Sequence, residues 1–356
     1  MGGLGVGKRA TLMDVAALSG MSKTAVSLVL NDRPGSRLSD DAVRRIREAA
    51  RQLNYRPNPA ARSLRIGKTN TIGFISDDVT VTRYASAMIR GMLDVADERD
   101  HGVLIAETGS HPLQLEKALD FMIDRQVDGI VFGAMSARVL DLPELPPALR
   151  VVTANCTSAA AHSSVLPEEH EAGYAMARLL IEAGHGEGIG IVGRAPIARV
   201  DPHVSVTIGD RFAGIEQAMS DAGVEPLSIV DFEVWEIANG YDGTLELLDQ
   251  HPPVTALICM NDRVAFGAYQ AMQERGFRVP DDISVASFDD DDVLAPNLRP
   301  GLTTARLQYE EMGRLAMVLA LDPQAPDGIQ RVSMPVQVRG SIAPRQAQGH
   351  RSARSR

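Results

Sequence analysis

From residue 71 onward the chain repeats one pattern, a short apolar run followed by a longer amphipathic stretch. The runs are TIGFIS (71–76), GVLIAET (102–108), GIVFG (129–133), VVTANC (151–156), GIGIVG (188–193), SIVDFEV (228–234), ALICM (256–260) and SVASF (284–288). Apolar β-rich runs that alternate with helix-length segments call for parallel sheets covered on both faces. Eight of them spread over this span predict two doubly wound subdomains. Ligands of such folds bind beyond the carboxyl ends of the strands, so a cleft between the two subdomains is the expected site.

The residues at those strand ends are polar. Asp78, Arg83 and Tyr84 follow the first run, Asn155 lies at the end of the fourth, Trp235 follows the sixth, Asn261 the seventh and Asp289 the eighth. Arg211, in GDRFAGI, opens a helix. Taken singly, each is most simply a cap or a surface residue. As a set, carboxylates, amides, a guanidinium and aromatic faces suit a small polyhydroxylated molecule, whose hydroxyls need paired donors and acceptors and whose ring stacks on aromatics.

The first 68 residues differ in kind. They carry 13 Lys and Arg against 5 Asp and Glu, whereas the remaining 288 carry 23 against 41, within a chain of net charge −10. A small basic module before a large acidic one is the asymmetry expected when one domain meets a polyanion. In TLMDVAALSGMSKTAVSLVLND (11–32), Thr11 and Asp14 form a capping-box start, and Leu12, Val15, Ala16 and Leu18 supply an apolar face before Gly20 breaks the helix. Ser22 caps a second helix whose Val26, Val29 and Leu30 face back onto the first, leaving Lys23, Thr24 and Ser27 at its exposed start. Two short helices about a glycine turn make a helix-turn-helix, whose second helix enters the major groove. A third helix is predicted from Ser39, with Asp40 and Asp41 at its positive end, Val43, Ile46, Ala50 and Leu53 as its buried stripe, and Arg44, Arg45, Arg47 and Arg51 opposite. A three-helix structural unit with a solvated charged face is the alternative reading.

The segment YRPNPAARSLRIGKTNTIGFI (55–75) is a basic linker holding a short helix-capable stretch. Together with the D-V-A…S-G-M-S…T-A-V-S-x-V-L-N head, it strongly resembles the LacI/GalR family of transcription regulators, and the resemblance runs from about Thr11 to about Pro344. It implies an N-terminal all-α helix-turn-helix DNA-binding domain plus an α/β bilobed effector domain like the periplasmic binding proteins. The expected divisions are a tail at 1–10, the DNA-binding domain at 11–57, a hinge helix and linker at 58–68, the effector domain at 69–345 and a basic tail at 346–356. Within the effector domain, the first subdomain is expected to take about 69–165 and 297–321, and the second about 166–296 and 322–345.

Carried over by position, the resemblance implies phosphate contacts from Thr11, Ser22 and Asn31, and base-edge positions for Lys23, Thr24 and Ser27. Tyr55, Asn58, Ala61 and Leu64 fall in the hinge motif, where Leu64 would wedge into the minor groove and kink the duplex at the centre of a palindrome. The family often places an arginine after the T-V-S triplet; Leu28 stands here, so half-site bases do not transfer from relatives. RFAGI, MNDRVAFGA and FDD resemble effector-pocket segments, implying Arg211, Asn261, Asp289, Trp235 and Asn155 as effector ligands with Thr207 nearby. In the first loop Arg83 replaces an aromatic, and it would either pair with an anionic effector or turn to solvent.

The expected partners are therefore a double-stranded palindromic operator, a carbohydrate-like effector and a second copy of the chain, since one helix-turn-helix per chain needs twofold symmetry. Release from DNA by effector is the expected sign, with corepression or a stand-alone binding protein as alternatives. No catalytic constellation stands out, and no cofactor or metal is expected. GIGIVG lacks the helix start that a dinucleotide site needs at once, GGLGVGKR (2–9) lacks a preceding strand and the Ser or Thr of a P-loop, and DDDD (289–292) lacks the spacing of a calcium loop. Cys156 and Cys259 are expected as buried apolar residues. With no signal peptide and no membrane-spanning run in the sequence, a cytoplasmic protein is expected.

Overall fold

The structure, a computed structural model, describes residues 10–30, 38–56, 67–80, 82–109, 111–250 and 253–345. It divides into two compact units between Thr69 and Asn70. Asn31, Asn58, Ala61 and Leu64 lie outside the described residues, as do both terminal tails and GGLGVGKR.

The first unit contains α1 (Leu12–Ser19), α2 (Lys23–Leu30) and α3 (Asp40–Gln52). The capping box is formed: the Asp14 N–H donates to Thr11 Oγ1 at 3.3 Å, and the Thr11 N–H donates to Asp14 Oδ2 at 2.7 Å. Gly20 ends α1 in the left-handed region at φ 69°, a conformation a side chain would resist. Across that turn α1 and α2 are bent by 107°, within the range of a helix-turn-helix. Ser22 Oγ accepts the Ala25 N–H at 3.1 Å and so caps α2. Val15, Val26 and Ile46 are fully buried, joined by Val29, Ala49 and Ala50.

Two details of the stripes differ from expectation. Leu18 is 51% exposed, whereas Ser19 is buried and donates its hydroxyl to the Val15 carbonyl at 2.7 Å. The inward stripe of α1 runs through 12, 15, 16 and 19, and residue 18 falls beyond its edge. In α3, Ala42, Ile46, Ala49 and Ala50 are buried, while Val43 and Leu53 are only half-buried.

The second unit holds two six-stranded sheets. The strands are β1 (Thr71–Ser76), β2 (Gly102–Glu107), β3 (Gly129–Val139), β4 (Arg150–Thr157), β5 (Ser163–Pro167), β6 (Ile189–Arg194), β7 (Ser228–Asp231), β8 (Ala256–Cys259), β9 (Ser284–Asp289), β10 (Thr303–Arg306), β11 (Gly328–Val332) and β12 (Val336–Gln337). The first lobe has order β11-β5-β4-β3-β1-β2 and the second β12-β10-β9-β8-β6-β7. Pairing is parallel except between β10 and β12. The helices are α4 (Arg83–Glu98), α5 (Pro112–Asp124), α6 (Glu169–Glu182), α7 (Ile208–Asp221), α8 (Ile237–Gln250), α9 (Asp262–Glu274) and α10 (Tyr309–Leu321).

All eight predicted runs are strands, and β5, β10, β11 and β12 are additional. These additions correct the expected subdomain shares. Thr303–Arg306, placed above in the first subdomain, pairs with β9 in the second lobe; Gly328–Val332, placed in the second, pairs with β5 in the first. The chain thus passes between lobes after β5, after β10 and after β11, because each short strand completes the sheet where its chain neighbours already lie. GIGIVG is β6, followed by the segment 195–207 rather than a helix start.

Helices on the outer faces approach closely. α6 and α7 cross at paired glycines: a Cβ on Gly173 would meet the Arg211 carbonyl oxygen at 2.1 Å, and one on Gly214 the His170 carbonyl oxygen at 2.0 Å. Neither contact is with a flexible side chain, so the helices themselves would have to separate. Gly214→Ala should therefore cost about 2–3 kcal/mol by overpacking, read as a lower unfolding midpoint in urea; an unchanged midpoint would contradict this crossing.

Candidate functional site

The carboxyl ends of strands from both lobes close around a cavity of about 440 Å³. Asp78 follows β1, Met135 and Asn155 lie on β3 and β4, Asn261 follows β8, and Asp289 ends β9. Two of these ends are held in backbone conformations that a side chain rarely adopts, Asn155 at φ 55° and Asp289 at φ 99°. Such strain is tolerated where the surroundings fix it, and it collects at binding sites.

Asp78, Tyr84, Asn155, Thr207, Arg211, Trp235, Asn261 and Asp289 all line this cavity. Arg83 does not. Its Nη1 donates to Asp292 Oδ1 at 3.0 Å, on the far side of Tyr84. The two residues are consecutive on α4, so their side chains diverge by about 100°. Turning Tyr84 into the cleft sends Arg83 out of it, which corrects the expectation that Arg83 could meet an anionic effector there.

Arg211 is the hub. It is only 2% exposed and donates Nε and Nη2 to the two oxygens of Glu169, each at 2.7 Å. Nη1 donates to the Met260 carbonyl. Its guanidinium carbon lies 4.4 Å from the Phe288 ring centre and 5.4 Å from that of Trp235. Burial alone would lower the Arg211 pKa, but Glu169 beside it holds the pKa above the usual arginine value. Nη2 stands 3.8 Å from Asp289 Oδ1, near enough for attraction but too far for a hydrogen bond. Burial pushes Asp289 up to about 6, with Arg211 opposing.

The remaining side chains are oriented by their own partners. The Trp235 indole donates to the Gly193 carbonyl at 2.8 Å, which leaves its ring face to the cavity. Asn261 caps α9 by accepting the Val264 N–H at 2.9 Å and donates to the Trp235 carbonyl at 3.3 Å. Asn155, buried at the cavity wall, donates to the Ala134 carbonyl at 2.9 Å. Tyr84 stacks on Tyr309 at 4.9 Å and donates to Asp291 at 3.2 Å. Burial and the neighbouring carboxylates raise both phenols, which stay neutral donors. Beneath them Asp262 is buried and pushed up to about 8 by desolvation and by Asp289, although it accepts the Thr304 hydroxyl and the Asp291 N–H.

The acidic run disperses. Asp289 faces the cavity, Asp290 pairs with Arg339 and Arg306, Asp291 meets Tyr84, and Asp292 meets Arg83. Among the described residues no group of three or more potential ligands could hold a metal ion. Cys156 and Cys259 are free and buried.

In the head, Thr11, Ser22, Lys23 and Thr24 are exposed, and Ser27 and Leu28 are half-buried on the same α2. Tyr55 packs against the head core, and its N–H donates to the Ala50 carbonyl at 2.8 Å. On α3, Arg44 and Arg45 pair with Asp41, and Arg51 with Glu48.

Residues 11–58 match the family described as bacterial regulatory proteins, lacI family, and residues 177–346 match a periplasmic binding protein-like domain. The Haemophilus influenzae ribose operon repressor is 32% identical over 314 residues, covering 86% of this chain and 90% of that protein. The chain belongs to the LacI family. The Escherichia coli sucrose operon repressor is 29% identical, covering 93% of this chain and 99% of its own. The Lac repressor dimer bound to operator and the anti-inducer ONPF shares the fold with a TM-score of 0.75 at 22% identity, covering 94% of this chain and 100% of that one. Like its LacI-family relatives, the protein is a DNA-binding transcriptional regulator and not an enzyme. No single helix among the described residues is long and apolar enough to cross a membrane.

Among the charged and aromatic residues of the cavity, four escaped the sequence reading: Glu169, Glu233, Arg263 and Tyr309. Arg263 sits two residues from Asn261 inside MNDRVAFGA, so its signal was present. Glu169 and Tyr309 follow β5 and β10, strands too short to register as runs.

The Asp289 shift fixes a pH dependence. Its folded pKa of about 6 exceeds the ordinary 3.8, so the folded state holds this proton more tightly and loses stability as pH rises from about 4 to 6. Asp289→Asn should match the parent near pH 4 and exceed its stability by up to about 3 kcal/mol at pH 7, at about 1.4 kcal/mol per unit. Urea melts at both pH values check this; a gap that does not widen with pH would contradict it.

Proposed function

We propose that the protein represses transcription as a homodimer on a palindromic operator, and that a small polar, carbohydrate-like effector bound between the lobes releases it. The observation that carries the DNA half is the two-faced α2: Val26 and Val29 are buried against α1 and α3, while Lys23 and Thr24 stand exposed on its first turn. That turn is the part of a recognition helix that reaches base edges, with Ser27 one turn further along. Thr11 and Ser22 sit at helix N-termini, where backbone N–H groups and hydroxyls suit phosphates. The names of the ribose and sucrose operon repressors support a sugar-like effector, as does the polar cavity at the strand ends. A bacterial repressor of this kind works where its operator DNA lies, in the cytoplasm.

In this reading Asn31 adds a phosphate contact to those of Thr11 and Ser22, and Tyr55, Asn58, Ala61 and Leu64 of the hinge motif complete the DNA contact. Selection from random duplexes followed by fluorescence anisotropy should yield a twofold palindrome. Lys23→Ala and Thr24→Ala should each reduce the preference for the selected duplex over a scrambled one by roughly 5- to 100-fold, about 1–3 kcal/mol, without lowering the melting temperature. An undiminished preference in both variants would remove α2 from base reading.

A further inference from the structure

A second cavity, of about 140 Å³, lies wholly within the first lobe. Ile75 and Phe132 from the sheet, Leu115 from α5, and Leu140 and Leu142 after β3 form its walls, and all five belong to the apolar cluster around α5. Cavities of about 150 Å³ with aliphatic and aromatic walls take up benzene. A polyol here would leave its hydroxyls without partners along those walls.

The polar part of the lining is small and mostly committed. Asp77, only 6% exposed, accepts the N–H groups of Asp78 and Met135 on Oδ1 at 3.1 and 3.2 Å, and its Oδ2 stands 3.0 Å from Arg138 Nη1. Thr108 donates its hydroxyl to the Ser76 carbonyl at 3.3 Å. The Arg138 side chain has no other partner among the described residues, so its remaining N–H groups are donors that a ligand can use. The charges of Asp77 and Arg138 cancel. A cationic ligand would face Arg138, and an anionic one would face Asp77 and Asp141.

Asp77 also ties this cavity to the effector cleft. The two residues whose N–H groups it holds, Asp78 and Met135, both line the cleft, while its ion-pair partner Arg138 lines the second cavity. Along β3, Ala134 and Arg138 line the second cavity, and Met135, Ser136 and Ala137 between them line the cleft. One buried carboxylate and one stretch of strand therefore form walls of both spaces.

We propose that this cavity is a second ligand site, which takes a small uncharged molecule with one aromatic ring and a hydrogen-bond acceptor. The ring lies among Leu115, Phe132 and Leu142, and the acceptor meets Arg138. A ligand that engages Arg138 acts on Asp77, and through it on the cleft wall.

Isothermal titration of the full-length protein tests the site, with acetophenone, its isostere α-methylstyrene, benzoate and benzylammonium. Acetophenone should bind roughly tenfold more tightly than α-methylstyrene, as expected for one hydrogen bond to a charged donor, and both ions more weakly than acetophenone. Arg138→Met should bring the acetophenone-to-methylstyrene ratio towards one. Leu115→Trp, which fills the cavity, should abolish binding without lowering the melting temperature, whereas Trp235→Ala in the cleft should leave it intact. If Arg138→Met does not fold, the ligand pair and the other two variants decide. No binding of acetophenone, equal affinity for the isosteres, binding that survives Leu115→Trp, or binding lost in Trp235→Ala would each overturn the site. Trp235 is the only tryptophan of the chain, so protein labelled with 5-fluorotryptophan carries one fluorine resonance, in the cleft. Saturation with acetophenone should shift that resonance, and an unmoved resonance would overturn the link through Asp77.

Discussion

The bidentate pair between Arg211 and Glu169 holds the second lobe's part of the cleft in place. A guanidinium this deeply buried is tolerated only if its charge and donors are satisfied, and the partners come from separate elements: the first residue of α6, the carbonyl after β8 and the aromatic ring of Phe288 on β9. Removing either charge would leave the other unpaired in a site of low polarity, at a cost far above that of a surface pair. The crossing of α6 and α7 at Gly173 and Gly214 belongs to the same arrangement, since only that approach brings the first turn of α6 to Arg211.

With Arg211 fixed, the chemistry around it follows. Trp235 spends its single donor on the Gly193 carbonyl, and Asn261 and Asn155 use part of their hydrogen-bonding capacity to lock their own orientation, while all three line the cavity. Asp289 stays close to Arg211 without bonding to it, at a pKa raised by burial. A ligand hydroxyl there would meet a carboxylate acceptor. The first lobe contributes Asp78, Tyr84 and the outer part of β3, so an occupied cleft is held from both sides. Tyr84 and Arg83 reach Asp291 and Asp292 across the same gap, and a change in lobe separation has to break or remake those contacts.

Much of this was legible in the sequence, for identifiable reasons. The eight runs were visible because a doubly covered strand must be apolar along its length. β5 and β10 were not, since SSVLP and TTAR owe their burial to neighbours brought from elsewhere in the chain. That is also why the return segments were assigned to the wrong lobes. The head was readable to the level of its capping box, and its stripes were misplaced at Leu18 and at Val43 and Leu53, where a short helix defines its buried face by too few turns. Asp78, Asn155, Asn261 and Asp289, which line the cavity, were legible from their place at strand ends. Arg83 failed because its helical phase relative to Tyr84 decides which of the two enters the cleft, and composition does not carry phase. Glu169 went unseen because its importance lies in a contact 42 positions away with Arg211.

In the proposed mechanism, occupancy of the cleft and grip on the operator are one coupled equilibrium. Reciprocal titration tests it most directly: the operator affinity of the full-length dimer with and without saturating effector, and the effector affinity with and without saturating operator. Linkage requires the same factor in both directions, and couplings of this kind are typically about 5- to 150-fold. Both affinities are predicted to fall, by one and the same factor within that range. An operator affinity that does not move when the cleft is demonstrably filled would contradict the account.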